Sequence, residues 1–239
     1  MPLPKIATPS YELELPSTGE SIQYRPFLVK EEKLLVIALE SEETKQITTA
    51  IKTVIKNCIL TKNIKVEALP TFDIEYLFLN IRGKSVGEEL EVNIICPDDG
   101  ETQVPVKINL DDIQVQKNEN HTNKIKVDAA IMMEMKYPSL DQFIKSNFDF
   151  NDKNAMDQSF ELIGSCIDKI YTEDEIWSTS DVTKKELTDF LESMNSSQFK
   201  EIEKFFETMP KLSHTIKVTN PVTEIESEVV LEGLASFFA

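Results

Sequence analysis

The stretch "GEELEVNIICPDDGETQVPVKINL", residues 87–110, decides how the chain is read. Leu90, Val92 and Ile94 alternate with Glu91 and Asn93, and Val104, Val106, Ile108 and Leu110 alternate again after a polar turn. A period of two on both sides of a Pro/Gly-containing turn predicts a β-hairpin with one buried face. Cys96 at the turn raises the question of a metal. A structural zinc takes four nitrogen or sulfur ligands, commonly from two C-x-x-C knuckles. Here Cys96 is followed by Pro97, Asp98, Asp99 and Gly100, one thiol where two are required. A second stretch, "IKVTNPVTEIESEVVL" at 216–231, has the same order of strand, residue-Pro, polar turn and strand, with Asn220 standing where Cys96 stands. Two readings follow. The hairpins are a metal-free remnant of a zinc-ribbon pair, or "CPDDG" is simply a turn in which Pro97 and Gly100 supply the restricted and permissive dihedrals. The second is preferred, and no bound metal is expected.

Upstream, "YELELPSTGESIQYRPFLV" alternates Tyr11, Leu13 and Leu15 with glutamates, turns at Ser17, Thr18 and Gly19, and resumes at Ile22 and Tyr24. This predicts an N-terminal hairpin. From Lys30 the period becomes helical. Leu34, Leu35, Ala38 and Leu39 share one face, and Ile47, Ile51, Val54, Ile55, Cys58 and Ile59 form a second apolar stripe. In "LPTFDIEYLFLNIRGKS", Thr71 is placed as an N-cap, Asp73 and Glu75 suit the first turn, and Gly83 is expected to end the helix. Strands follow over 88–136 as a central meander, the last two near Ile125–Val127 and Ile131–Met135.

After "YPSL" the pattern is helical. Met156, Phe160, Ile163, Ile167 and Ile170 mark one helix, Thr183 with Glu186 a capping box for a second, and Asn195 with Gln198 a cap for a third bearing Phe199, Ile202, Phe205 and Phe206. The acidic stretch "YTEDEIWSTSD" reads as a loop holding Trp177, the one tryptophan. The end is a second hairpin and a short apolar tail with Leu234, Phe237 and Phe238. Segregated helices and strands predict an α+β protein: helices flanking a central antiparallel meander, with N-terminal and C-terminal hairpins. Two intimately packed subdomains are expected, 1–137 and 138–239, joined near Tyr137 and Pro138.

Composition narrows the function. With 41% hydrophobic and 28% charged residues the chain is of ordinary globular type. A net charge of −17, from 42 acidic and 25 basic side chains, repels phosphate backbones and anionic headgroups, so neither nucleic acid nor membrane is an expected partner. The first residues show no apolar signal core, and the longest apolar run, Leu34 to Leu39, is far short of the roughly 18 residues a membrane helix needs. Three scattered cysteines, Cys58, Cys96 and Cys166, fit a reducing compartment.

Catalytic material is sparse. His121 and His214 have no acid, thiol or second histidine at ligand spacing and read as surface or turn residues. "RGKS" at 82–85 resembles a phosphate loop, but Phe78 occupies the required glycine position. "IGSC" around Ser165 lacks the second glycine of a nucleophile elbow. No catalytic, cofactor-binding or metal-binding residue is expected. Candidate partner contacts are Trp177, Leu234, Phe237 and Phe238.

The segments "LPSTGESIQYRPFLVKEEKLLVIALES" (15–41), "LPTFDIEYLFLNIRGKSVGEE" (69–89), the "CPDDG" hairpin, "FFETMPKLSHTIKV" (205–218) and "VVLEGLASFF" (229–238) together resemble the T4-type phage baseplate family of hub subunits and hub assembly proteins. Some relatives carry further cysteines near the knuckle positions, and this chain departs from them there. The resemblance implies a non-enzymatic role at the hub of a contractile tail. The protein would dock or chaperone hub and tape-measure components in the host cytoplasm, or stay as a permanent subunit of the virion baseplate.

Overall fold

The computed structural model describes residues 6–142 and 155–233. Through the first helices and hairpin the elements are β1 (Tyr11–Glu14), β2 (Ser21–Tyr24), α1 (Val29–Glu40), α2 (Thr44–Cys58), α3 (Thr71–Val86), β3 (Glu89–Ile95), β4 (Gln103–Asn109) and β5 (Gln114–Gln116). There follow β6 (Lys124–Lys126), β7 (Met132–Met135), α4 (Ala155–Cys166), β8 (Ile167–Tyr171) and β9 (Ile176–Ser178). The last are α5 (Lys184–Glu192), α6 (Ser196–Thr208), β10 (Lys211–Thr219) and β11 (Glu226–Glu232). Helices combined with small antiparallel sheets make this an α+β protein.

The strands of 88–136 do not lie side by side. Among the described residues β3 pairs with β4 alone, β5 joins the sheet β11-β10-β5, and β6 and β7 belong to the sheet β6-β7-β8-β9. Alternation in sequence fixes which face of a strand is buried; it carries no information about which edge becomes its neighbour.

The chain forms two compact units. Among the described residues the first takes the chain up to Val66, Phe72–Gln116 and the part from Lys211 onward; the second takes Glu67–Thr71 and Lys117–Pro210. Tyr137 and Pro138, where the sequence suggests a boundary, both lie within the second.

In the first unit the β1–β2 hairpin has Leu13 opposite Ile22 and turns through Gly19, whose φ of 72° lies in the left-handed region that favours glycine and whose N–H donates to Leu15 O at 2.8 Å. α2 buries Ile51, Val54, Ile55 and Cys58, four of the six positions of its predicted stripe. α3 buries residues on most of its circumference, among them Phe72, Ile74, Leu77, Phe78 and Ile81, so it is the central helix of this unit. It does not end at Gly83. It continues to Val86, and Gly87, at φ 121°, donates to Gly83 O at 3.1 Å. Gly83 is small for a packing reason: a Cβ there would stand 3.3 Å from Leu110 Cδ1.

In the second unit the core joins Ile125, Met133, Cys166, Ile202 and Phe205 from the sheet and from α4 and α6. The predicted capping box of Thr183 with Glu186 opens α5, and the predicted cap of Asn195 with Gln198 opens α6 and is a capping box too. Two local readings differ. α4 stops at Cys166, and Ile167 and Ile170, which continue the helical spacing, lie in β8 opposite Met135 and Met133 of β7. The acidic stretch is a hairpin, closed by Thr172 N–H to Glu175 O at 2.9 Å, and Trp177 sits in β9 opposite Ile170. Pairing with β7 overrides the helical period.

Candidate functional site

Buried polar groups are more informative than exposed apolar ones. Among the described residues they are Glu31, Thr48, Asp73 and Asn220, all in the first unit.

Two of them hold the N-terminal hairpin and α1 in place. The Glu31 carboxylate accepts from Arg25 Nη2 at 3.1 Å and from Leu28 N–H at the start of α1 at 2.9 Å, with Lys30 Nζ at 3.3 Å. Arg25 also donates to Pro26 O at 2.8 Å. Burial pushes the Glu31 carboxyl up, but the hydrogen bonds and charge of Arg25, together with Leu28 N–H and Lys30, outweigh it and hold it below its ordinary value. Asp73, in the first turn of α3, accepts from Ser17 N–H at 3.0 Å and from the Ser17 hydroxyl. That latch explains why the β1–β2 turn carries a serine.

Asn220 answers the question set by Cys96. The two hairpin tips, 96–102 and 220–225, meet. Asn220 Nδ2 donates to Asp99 Oδ2 at 2.8 Å and lies 3.1 and 3.0 Å from the two Asp98 oxygens, and Thr223 Oγ1 donates to Asp98 Oδ2 at 2.5 Å. Asn220 Oδ1 accepts from Val222 N–H at 2.9 Å and Thr223 N–H at 3.4 Å within its own loop. Every polar atom of a fully buried amide therefore has a partner. Asp99 is held well below the usual carboxylate range by the Thr102 hydroxyl, then by the N–H groups of Glu101 and Thr102, then by Asn220.

The tips are also built alike. Each opens on a residue followed by proline, and that residue donates its N–H across the loop: Cys96 to Thr102 O at 2.8 Å, Asn220 to Ile225 O at 3.0 Å. Its carbonyl accepts the N–H four residues on, Gly100 and Glu224, at 2.9 Å in both, and these two residues have φ of 70° and 60°. The likeness read from sequence is thus a likeness of backbone. The ligand set is different in kind: Cys96, Asp98, Asp99, Asn220 and Thr223 offer one thiol, two carboxylates, an amide and a hydroxyl, and these do not fit the nitrogen and sulfur set of a structural zinc. Among the described residues no group of three or more His, Cys, Asp and Glu side chains is placed to hold a metal ion.

Nor are the thiols activated. Burial pushes Cys58 and Cys166 to about 11, and it raises Cys96 as well, with Asp98 and Asp99 adding to the effect. Cys96→Ser is expected to stay folded, losing no more than about 2 kcal/mol. Elemental analysis of either form should find no stoichiometric zinc, and a zinc-dependent melting temperature would contradict the hydrogen-bonded arrangement.

The histidine readings change in part. His121 is half-buried: its Nδ1 is 2.9 Å from Thr208 Oγ1, its Nε2 3.0 Å from Tyr137 OH, and its ring packs against Tyr137 and Phe205. Burial lowers its pKa, so it is neutral at pH 7. His214 lies inside β10 opposite Leu231. "RGKS" falls in the last turns of α3, and Ser165 donates to Leu162 O at 2.7 Å within α4.

Trp177 is 38% exposed on β9, an edge strand of its sheet, next to Ile176 at 70%. The stretch from Ile170 to Thr183 holds no lysine or arginine and four acids. Leu234, Phe237 and Phe238 lie outside the described residues. The residues missed from sequence are Asn220, Asp98 and Asp99 as partners; the repeated residue-Pro turn was the one signal pointing to them. Among the described residues no helix is long and apolar enough to cross a membrane.

The model of one protein family, described as T4 bacteriophage base plate protein, matches residues 8–239. Neither the curated proteins nor the solved structures gave a match. A match that runs through both units, from β1 to beyond β11, places this chain in the T4 bacteriophage base plate protein family.

Proposed function

We propose that the protein is a non-enzymatic hub assembly protein, which docks or chaperones hub and tape-measure components while the contractile tail is built in the host cytoplasm. Membership of a baseplate family supports a role among tail proteins. The observation that carries the docking reading is Trp177: an indole on an edge strand, beside Ile176, in a run of acids without a cation. Tryptophan contributes disproportionately to binding where it can be desolvated by a partner. The acids around it suit a lysine- or arginine-bearing partner.

Trp177→Ala should weaken capture of the tail component by a tagged full-length protein in infected cells by about tenfold or more. Raising the salt should weaken it further through screening. Its melting temperature should stay close to that of the wild type, because the side chain is part-exposed. Capture that ignores both the substitution and salt would remove this surface from the reading. The second reading, a permanent hub subunit, is separated by mass spectrometry of purified virions: a fixed copy number favours the subunit, absence favours the transient factor.

A further inference from the structure

The joined hairpin tips expose side chains that such loops rarely carry. Loop tips are commonly small and polar. Here Val222 is 75% exposed, Ile225 51%, and Ile95, the residue before Cys96, 53%. Around them Asp98, Asp99, Glu101, Glu224 and Glu226 are all exposed. No lysine or arginine occurs between Lys84 and Lys107, or after Lys217. The tips therefore carry exposed aliphatic side chains among a large excess of carboxylates, the nearest cation being Lys217, 3.6 Å from Glu226.

It is also held in one arrangement. Asn220 and Thr223 bind Asp98 and Asp99 across the two loops, and each loop is closed by its own backbone bonds. Fixing the loops beforehand removes ordering cost from any later association. A buried amide with all its bonds satisfied, spent on joining two surface turns, gains a purpose if the turns must be presented together.

We propose that the clasped tips are a docking point, which inserts Val222, Ile225 and Ile95 into an apolar socket rimmed by lysine and arginine on another baseplate component. The occupant follows from charge complementarity: five carboxylates against one nearby cation, Lys217 at 3.6 Å from Glu226, repel an acidic rim and favour a basic one. This rests on the reading that the protein meets other tail proteins, and it adds a surface distinct in sequence from Trp177.

The test uses tagged full-length protein expressed in infected cells, with bound tail proteins identified and quantified by mass spectrometry. Val222→Asp with Ile225→Asp should retain the wild-type melting temperature, since both side chains are exposed, and should reduce the captured tail component at least tenfold. Asn220→Ala should reduce capture as well, and its capture should fall before its far-ultraviolet circular dichroism changes, because loosening the tips removes presentation while the hairpins persist. Retention of the component at wild-type level by the double variant would overturn the proposal. So would a change confined to self-association in sedimentation, which would make a second copy the occupant. If the wild type itself captures no tail protein, the assembly reading fails together with this one; if it does and only the tip variants behave normally, the tips alone are ruled out.

Discussion

Phe205→Ala lowers the stability of the second unit by about 3–5 kcal/mol, the range for deleting a buried phenylalanine and leaving a cavity. Phe205 is 2% exposed and lies where three aromatic contacts meet: Tyr137 stacked at 5.7 Å, His121 at 5.2 Å, Phe206 edge-on at 5.2 Å. The same rings carry the chain of hydrogen bonds from Thr208 through His121 to Tyr137. Truncation therefore removes packing and also loosens the groups that keep a half-buried imidazole satisfied. Trp177 belongs to this unit and is the chain's one tryptophan, so its fluorescence follows the unfolding without added label. The urea midpoint read by Trp177 should fall markedly. A change under 1 kcal/mol, about the size expected of a surface substitution, would mean that the aromatic cluster does not carry this core.

Arg25→Ala should cost about 3–5 kcal/mol at neutral pH, because it leaves the Glu31 carboxylate buried without its main counter-ion. Lys30 remains at 3.3 Å but is largely exposed, and its charge is screened by water. The pH dependence gives the sharper check. In the wild type Glu31 titrates below its unfolded value of about 4.3, so its contribution is present above that pH and is lost as the pH falls through the lower, folded pKa. In the variant, burial is no longer outweighed and the carboxyl gains a proton more readily. The stability gap between the two proteins should be widest near pH 7 and should narrow on acidification, as protonation relieves the isolated charge. A gap constant from pH 7 to pH 4, measured by thermal melts, would assign the loss to packing of the Arg25 side chain instead.

What the sequence revealed was local. The α2 stripe, the boxes at Thr183 and Asn195 and the two terminal hairpins each rest on residues a few positions apart, whose own hydrogen bonds or periodicity set the element. What it hid was non-local. Gly83 looks like a helix end until Leu110 is seen against it, and Ile167 keeps a helical spacing while pairing with β7. The clasp is the extreme case, since Asn220 and Asp98 are 122 residues apart. Nothing in either turn alone specifies the other. The repeated residue-Pro pattern indicated that the tips are alike, and only the fold brought them together. Trp177 was legible as a candidate contact, but the strand that presents it was hidden in a stretch read as loop.

The pairing of Gln116 with Lys211 sets a timetable for synthesis. The long segment between them starts and finishes at neighbouring points of one sheet, so a ribosome makes all of that segment before the two strands that complete the sheet. Until β10 emerges, β5 has no neighbour and the 96–102 turn has no counterpart to grip. A chain truncated after Pro210 would lack β10 and so leave β5 with an unpaired edge, vulnerable to proteases. A tight turn joining Gln116 directly to Lys211 would spare that sheet, but it would take Pro138 and Ser139 away from Thr71 and Pro70, which pair with them.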